Sequence, residues 1–286
     1  MIYLLALGSA LLYGAADFTG GLATRRCATV PVVILSQLSG LIFLLLLLPL
    51  LPDASPSRAD MLWGIVAGLT GGVGVGLLYR ALAIGTMAVV APTTAVCAVA
   101  IPVVVSVLLG ERPGPIAAAG IGLGIVSIVL VSRETASDGH GATKTGKKLP
   151  PGVGTALISG VAIGFFFLAL AQTRTEAGMW PLVASRTLSA VLFGGLAVVN
   201  RQSVRMPQRI ALLAALCGVI DMLANALYLL AAREGPLSLV VTLSSLYPAS
   251  TVLLARVVLH ERLNFWQVSG VACALVAVAL IVGGGS

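Results

Sequence analysis

Long apolar stretches, each separated from the next by a polar break, fill most of this chain. A helix that crosses a bilayer needs about 20 mostly apolar residues, and ten stretches come close to that length. The breaks carry turn-forming residues, as in LPDASPSRAD at 51–60 and ERPGP at 111–115. The pattern predicts ten helices, over about residues 3–23, 31–51, 61–83, 88–109, 115–132, 152–171, 180–199, 209–231, 237–259 and 265–283.

The composition requires an apolar environment around these helices. Hydrophobic residues make up 58% of the 286 residues and charged residues 9%, against roughly 25% charged residues in soluble domains. Such a chain has too few polar residues to cover a surface that faces water. We therefore expect an all-α, polytopic integral membrane protein in a lipid bilayer. The N-terminal stretch lacks the basic segment of a signal peptide, so we expect it to be retained as the first helix.

The net charge of +7 does not indicate nucleic-acid binding. The basic residues lie in breaks between apolar runs rather than in aromatic-interleaved patches, and Lys and Arg in such loops orient membrane helices. Counted from the N-terminus, odd-numbered breaks hold twelve of the seventeen Lys and Arg residues and even-numbered breaks hold four, with Arg186 inside the seventh helix. The positive-inside rule then predicts that both termini lie outside the cytoplasm.

One polar segment, RETASDGHGATKTGKKLPP at 133–151, divides the chain into units at 1–132 and 152–286. It contains GATKTGKK, which approaches a phosphate-binding loop. That motif needs Ser or Thr where Lys148 stands, and a strand where this chain has an apolar helix. The cysteines form no CxxC pair, and the segment that begins His260-Glu261 lacks the second histidine of a zinc motif. We therefore expect no cofactor and no metal ion.

The two units repeat each other at an offset of 150 residues. Glu111 corresponds to Glu261, and each is followed by arginine after a long apolar run. The same offset relates landmarks in all five helix pairs, namely Gly14 and Gly164, Pro31 and Pro181, Ser39 and Ser189, Gly68 and Gly218, Gly85 and Gly235, and Gly120 and Gly270. Because five is an odd number of crossings, the second copy must be inverted in the membrane. Inverted repeats are an architecture of secondary transporters.

Two short motifs add to this organisation. Tyr13-Gly14 lies in the first helix, and Gly110-Glu111-Arg112 lies between the fourth and fifth. Together with ten helices in two copies, these motifs make the chain resemble the EamA-type transporters of the drug/metabolite transporter superfamily over nearly its whole length. The resemblance implies a carrier that moves small metabolites, often outward, without ATP hydrolysis. It also implies cytoplasmic termini, the reverse of what the charge count predicts.

The resemblance extends to an arginine that follows a proline in the second helix of a copy. Pro181 and Arg186 fit this pattern in the seventh helix, whereas the second helix has Ser36 at the equivalent place. The second copy also has His260 where the first has Gly110. From the resemblance we expect the protein to lie in a plasma membrane, namely the inner membrane of a bacterium.

Polar residues inside the apolar runs are the candidate binding groups. Tyr13 and Asp17 are four residues apart and share one face of the first helix. The eighth helix carries a second stripe, formed by Asp221, Asn225 and Tyr228. A carboxylate at the centre of a bilayer costs about 2.5–3.5 kcal/mol, so such residues face a watery cavity or a partner.

Two interpretations of these groups stay open. In the first, Asp17 and Asp221 bind a substrate amine or a coupling proton and Arg186 binds a substrate carboxylate, which would suit an amino acid. In the second, Arg186 forms an ion pair with Asp17 or Asp221. Both hold if the pair breaks and reforms during transport.

Glycine and proline mark candidate packing faces and hinges. Four glycines of the third helix are spaced by four residues and predict a close helix contact, namely Gly64, Gly68, Gly72 and Gly76. Pro102 and Pro248 fall in repeat-equivalent helices, where each forms a static kink or a hinge. Glu111 and Glu261 end the same helices, and we expect them in helix-end ion pairs.

These observations predict a secondary transporter of a small organic solute, an exporter of solutes such as amino acids, that works by alternating access. We expect no catalytic residues. The alternative is a membrane-embedded enzyme that modifies lipid, but the sequence has no clustered histidines and no nucleophile motif to support it. A channel would more naturally show a repeated ring of pore residues.

Overall fold

A computed structural model describes residues 1–108, 114–131, 150–234, 240, 243–244 and 246–284. This part of the chain contains ten α-helices and no strand. The helices are α1 (Ile2–Thr24), α2 (Thr29–Leu47), α3 (Arg58–Ile84), α4 (Met87–Leu108), α5 (Pro115–Val131), α6 (Val153–Ala171), α7 (Trp180–Val199), α8 (Gln208–Glu234), α9 (Tyr247–Val258) and α10 (Phe265–Gly283). The prediction of an all-helical chain is confirmed.

Seven of these helices are long and apolar enough to cross a membrane, namely α1, α2 with the 3-10 turn that follows it, α3, α6, α7, α8 and α10. Helices α4, α5 and α9 contain shorter apolar segments among the described residues. Part of the predicted ninth helix, at 237–239, 241–242 and 245, lies outside the described residues. The Glu111-Arg112 sequence, within 109–113, and residues 133–149 of the polar segment at 133–151 also lie outside them.

Local sequence signals set where several helices begin. Ser57 caps α3, because its hydroxyl accepts the Asp60 amide N–H and the Asp60 carboxylate accepts the Ser57 N–H in return. Asn264 and Gln267 form the same reciprocal pair at the start of α10. Such pairs satisfy backbone N–H groups that have no partner within the helix.

The two copies pack against each other through equivalent residues. Ser39 of α2 donates to the Ala215 carbonyl of α8, and its counterpart Ser189 of α7 donates to the Gly68 carbonyl of α3. A two-fold relation has this property, because the same surface of each copy contacts the other copy. With five helices in each copy, the relation is that of an inverted repeat.

The glycine stripe of α3 lies against α7, at a distance that leaves no room for side chains. A Cβ atom on Gly64 would lie 2.5 Å from the Pro181 carbonyl oxygen, and one on Gly68 would lie 2.6 Å from that of Ser185. Gly72 and Gly76 meet the side chains of Ser189 and Phe193. Small residues allow helices in lipid to approach closely enough for dispersion contacts to hold them.

Candidate functional site

Arg186 is the centre of a polar cluster inside the bundle. Its guanidinium donates to the Asp221 carboxylate of α8 and to the Gln37 side-chain oxygen of α2. The Arg186 and Asp221 side chains are 13% and 22% exposed, and Gln37 is buried. Gln37 belongs to the first copy and the other two residues to the second, so the arginine joins the copies.

Asp221 has a further partner on its own helix. The Asn225 amide donates to the Asp221 backbone carbonyl at 2.8 Å and lies 3.5 Å from the carboxylate Oδ2. Tyr228 follows almost one turn later and is half-buried. The predicted stripe on α8 therefore turns toward Arg186.

Asp17 lies beside this ion pair without joining it. The Asp17 side chain is half-buried, and it interacts electrostatically with Asp221. Within the described part of the chain, no group forms a hydrogen bond to its carboxylate. Among the residues that the structure describes, Asp17 is thus the ionisable group of the cluster without an ion-pair or hydrogen-bond partner.

Aromatic rings surround the carboxylates. Tyr13 interacts electrostatically with Asp221, Arg186 and Tyr228, and its ring meets that of Tyr247 edge to face, with centroids 6.3 Å apart. Tyr247 also interacts with Asp17. One turn before Tyr13, the Ser9 hydroxyl is fully buried and has no hydrogen-bond partner among the described residues. The cluster therefore combines acidic and basic side chains with phenol rings and with a hydroxyl that has no partner in the described part of the chain.

The structure thus brings together all six predicted binding residues, although their roles stay predictions. The six are Tyr13, Asp17, Arg186, Asp221, Asn225 and Tyr228. Of the two ion pairs considered for Arg186, it forms the one with Asp221. Sequence reasoning missed Gln37 and Tyr247, although Gln37 adjoins the repeat equivalent of Arg186 and is a polar residue in a leucine-rich run.

At one end of the bundle, an ion pair joins Asp60 at the start of α3 to Arg174 after α6. The Arg174 backbone N–H donates to Asp60 Oδ1 at 2.9 Å, and its guanidinium donates to Oδ2 at 2.9 and 3.2 Å. Asp60 is 1% exposed. The hydrogen bonds and charge of Asp60 raise the pKa of the Arg174 guanidinium further above its ordinary value, so Arg174 is charged at any physiological pH. We call this end the Asp60 end.

At the other end, Glu261 joins the second copy to the first. Its carboxylate pairs with Arg25 at 2.9 Å and accepts the amide N–H groups of Met87 and Ala88 in the first turn of α4, at 3.1 and 3.0 Å. A negative charge at a helix N-terminus is favourable. Glu261 therefore forms the helix-end ion pair expected from the sequence. We call this end the Glu261 end.

The two ends lie far apart. Besides pairing with Glu261, Arg25 donates to the carbonyls of Leu82 and Gly85, at the end of α3 opposite Asp60. From Asp60 to Leu82 the helix rises roughly 33 Å at 1.5 Å per residue. Each end therefore has its own ion pair between the copies, and the Arg186 cluster is a third link between them.

Cavities open at both ends. One of 320 Å³ lies at the Asp60 end, lined by Leu51, Met179, Trp180 and neighbouring residues. One of 200 Å³ adjoins Arg25 and Glu261 at the other end. Among the described residues, no group of three His, Cys, Asp or Glu side chains could hold a metal ion.

The two candidate hinge prolines occupy different places in their helices. Pro102 lies inside α4, whereas Pro248 lies in the first turn of α9 as the structure describes it. A proline in the first turn has no helical hydrogen bond to remove. The hinge roles stay predictions, and Pro102 is the better placed for one.

In a comparison with known proteins, one family model matches two successive segments of the chain. The model of the EamA-like transporter family matches residues 1–133 and again 150–283. A solved structure whose title reads only "Crystal structure of protein" is similar, with a TM-score of 0.59 and 18% identity, over 98% of this chain and 95% of that one. At this identity the likeness shows the fold alone. No curated protein sequence matches the chain.

Proposed function

The chain belongs to the EamA-like transporter family, and from this premise we propose that it is a secondary transporter that exports a small organic solute. Amino acids are the proposed class of solute, and alternating access between the two copies is the proposed mechanism. The protein works within a lipid bilayer, which we propose to be the plasma membrane of a bacterium.

The observation that carries this proposal is the polar cluster around Arg186. Ionised residues are costly inside a membrane protein and are kept there for function. This cluster draws on both copies, through Gln37 on one side and Arg186 with Asp221 on the other. A solute bound at such a position contacts both moving parts, which alternating access requires.

The groups of the cluster suit a solute with an ammonium group. Asp17 has no hydrogen-bond partner among the described residues, so it is free to accept an ammonium group or a coupling proton. A solute carboxylate would bind Arg186 only by displacing Asp221 from it. The tyrosines beside Asp17 provide apolar surface with a polar edge.

An ion pair at each end of the bundle supports alternating access. The Asp60–Arg174 and Arg25–Glu261 pairs each join the first copy to the second. Opening a passage at either end must break the pair at that end. A carrier of this design opens one end while the other stays closed, which prevents a continuous leak.

Counterflow in proteoliposomes tests this proposal. We expect a thermal-shift screen of metabolites to identify a solute that the vesicles then take up in saturable counterflow. Asp17→Asn, Asp221→Asn and Arg186→Gln should each reduce uptake, while Asp53→Asn, the same exchange in an exposed loop, should not. Normal uptake by all three cluster variants would refute the site. Non-saturating flux would indicate a channel, and conversion of the solute to a new compound would indicate an enzyme.

A further inference from the structure

The central cluster has one more acidic side chain than basic side chains. Two carboxyl groups, Asp17 and Asp221, lie near one guanidinium, that of Arg186, which pairs with Asp221. An ionised Asp17 would therefore leave one net negative charge, which is costly in a low-dielectric interior. Asp17 is neutralised either by a proton or by a cationic group of the solute that takes the place of the proton.

Arg186 has little capacity left for a solute. One terminal nitrogen donates to Asp221 and the other to Gln37, and its side chain is 13% exposed. A solute carboxylate that took the place of Asp221 would leave Asp221 buried without its cation. Breaking a buried pair in this way is strongly unfavourable.

The surroundings of Asp17, in contrast, suit the binding of a cation. Its carboxylate has no hydrogen bond within the described residues, and Tyr247 lies within electrostatic reach. Tyr13 is on the same face of α1 and stacks edge to face on Tyr247. Phenol faces attract ammonium groups, and the attraction strengthens when water is excluded. On this face, the Ser9 hydroxyl, for which the described residues supply no partner, provides a further hydrogen-bonding group.

We propose that this site recognises the solute through its ammonium group, held by Asp17 among the tyrosines, and that a solute carboxylate is dispensable. The substrate class is then organic ammonium monocations, such as decarboxylated amino acids and amino-acid esters, which bind more tightly than the corresponding zwitterions. This inference rests on the proposed transport function and replaces amino acids, as the preferred solute, with their derivatives that lack a free carboxylate. A monocation paired with an ionised Asp17 leaves the cluster neutral, whereas a zwitterion also brings in a carboxylate that has no cation of its own.

Matched ligand sets on the unmodified protein test this. For several aliphatic and aromatic side chains, we would compare the amino acid, its methyl ester, its decarboxylated amine and its deaminated acid, by thermal stabilisation and by competition in counterflow. We expect the amine and ester of at least one set to bind about tenfold or more tightly than the amino acid, and the deaminated acid not to bind. Tightest binding of the amino acid, binding of a deaminated acid, or no binding by any amine would overturn the inference.

Variants then locate the recognition. Asp17→Asn should abolish the advantage of the amine over the amino acid, Asp17→Glu should keep part of it, and the loop control Asp53→Asn should keep all of it. An advantage that survives in a folded Asp17→Asn protein contradicts the assignment to Asp17. If Asp17→Asn does not fold, the ligand sets on the unmodified protein still decide the matter.

The two proposals fail in different ways. Saturable transport of neutral or anionic solutes only would keep the transport function and refute ammonium recognition. Tight amine binding without movement across the vesicle membrane would keep the binding site and refute transport.

Discussion

At the scale of single residues, we predict that the Arg186–Asp221 pair contributes to stability as well as to the proposed transport. Asp221→Ala leaves the guanidinium buried without its carboxylate, so we expect it to lower the free energy of unfolding by about 3–5 kcal/mol. The double variant Arg186→Met/Asp221→Leu removes both charges and should recover most of that loss. Chemical denaturation in detergent measures both effects. A double variant less stable than the single one would show that the pair itself holds the fold.

The sequence identified the charged members of the cluster but not its complete membership. Asp17, Arg186 and Asp221 were identifiable because an ionisable side chain inside an apolar run is energetically costly and therefore rare. Gln37 and Tyr247 were not, because polar and aromatic residues of this kind also occur at ordinary packing positions. Whether they face the cluster depends on the rotation of each helix about its axis, which one sequence does not determine.

At the scale of helices, the contact between α3 and α7 depends on glycine. A Cβ at Gly68 meets backbone of α7 at 2.6 Å, so we expect Gly68→Ala to force the helices apart and to destabilise the protein by about 1–3 kcal/mol. Gly195→Ala on α7 is the matched control, because a Cβ there meets nothing within 4 Å. Thermal unfolding in detergent compares them. Equal stability of the two variants would contradict the close contact.

The ion pairs at the two ends should control the opening of those ends separately. We expect Glu261→Gln, which weakens the link to Arg25, to raise the maleimide reactivity of the nearby half-buried Cys27 severalfold. Asp60→Asn, at the opposite end, should leave the Cys27 reactivity unchanged or lower it. Mass spectrometry of the labelled peptide gives the rates. A rise of similar size in both variants would indicate general loosening rather than separate gates.

At the scale of the whole molecule, the order of the helices and the two-fold relation between the copies could be predicted from the sequence. The ten apolar runs predicted the ten helices to within a few residues, apart from the part of the ninth outside the described residues. This succeeded because hydrophobic length depends on the bilayer rather than on tertiary contacts. The partner of Glu261 in its expected ion pair had no such signal, because Arg25 and Glu261 are 236 residues apart and meet only in the folded chain.

Simultaneous distances at both ends test alternating access most directly. Spin labels at exposed positions 53 and 176 span the copies at the Asp60 end, and labels at 26 and 262 span them at the Glu261 end. Addition of a transported solute should lengthen one distance while the other stays short or shortens, as measured by pulsed electron–electron double resonance. Both distances lengthening together, or neither changing while counterflow proceeds, would contradict the account.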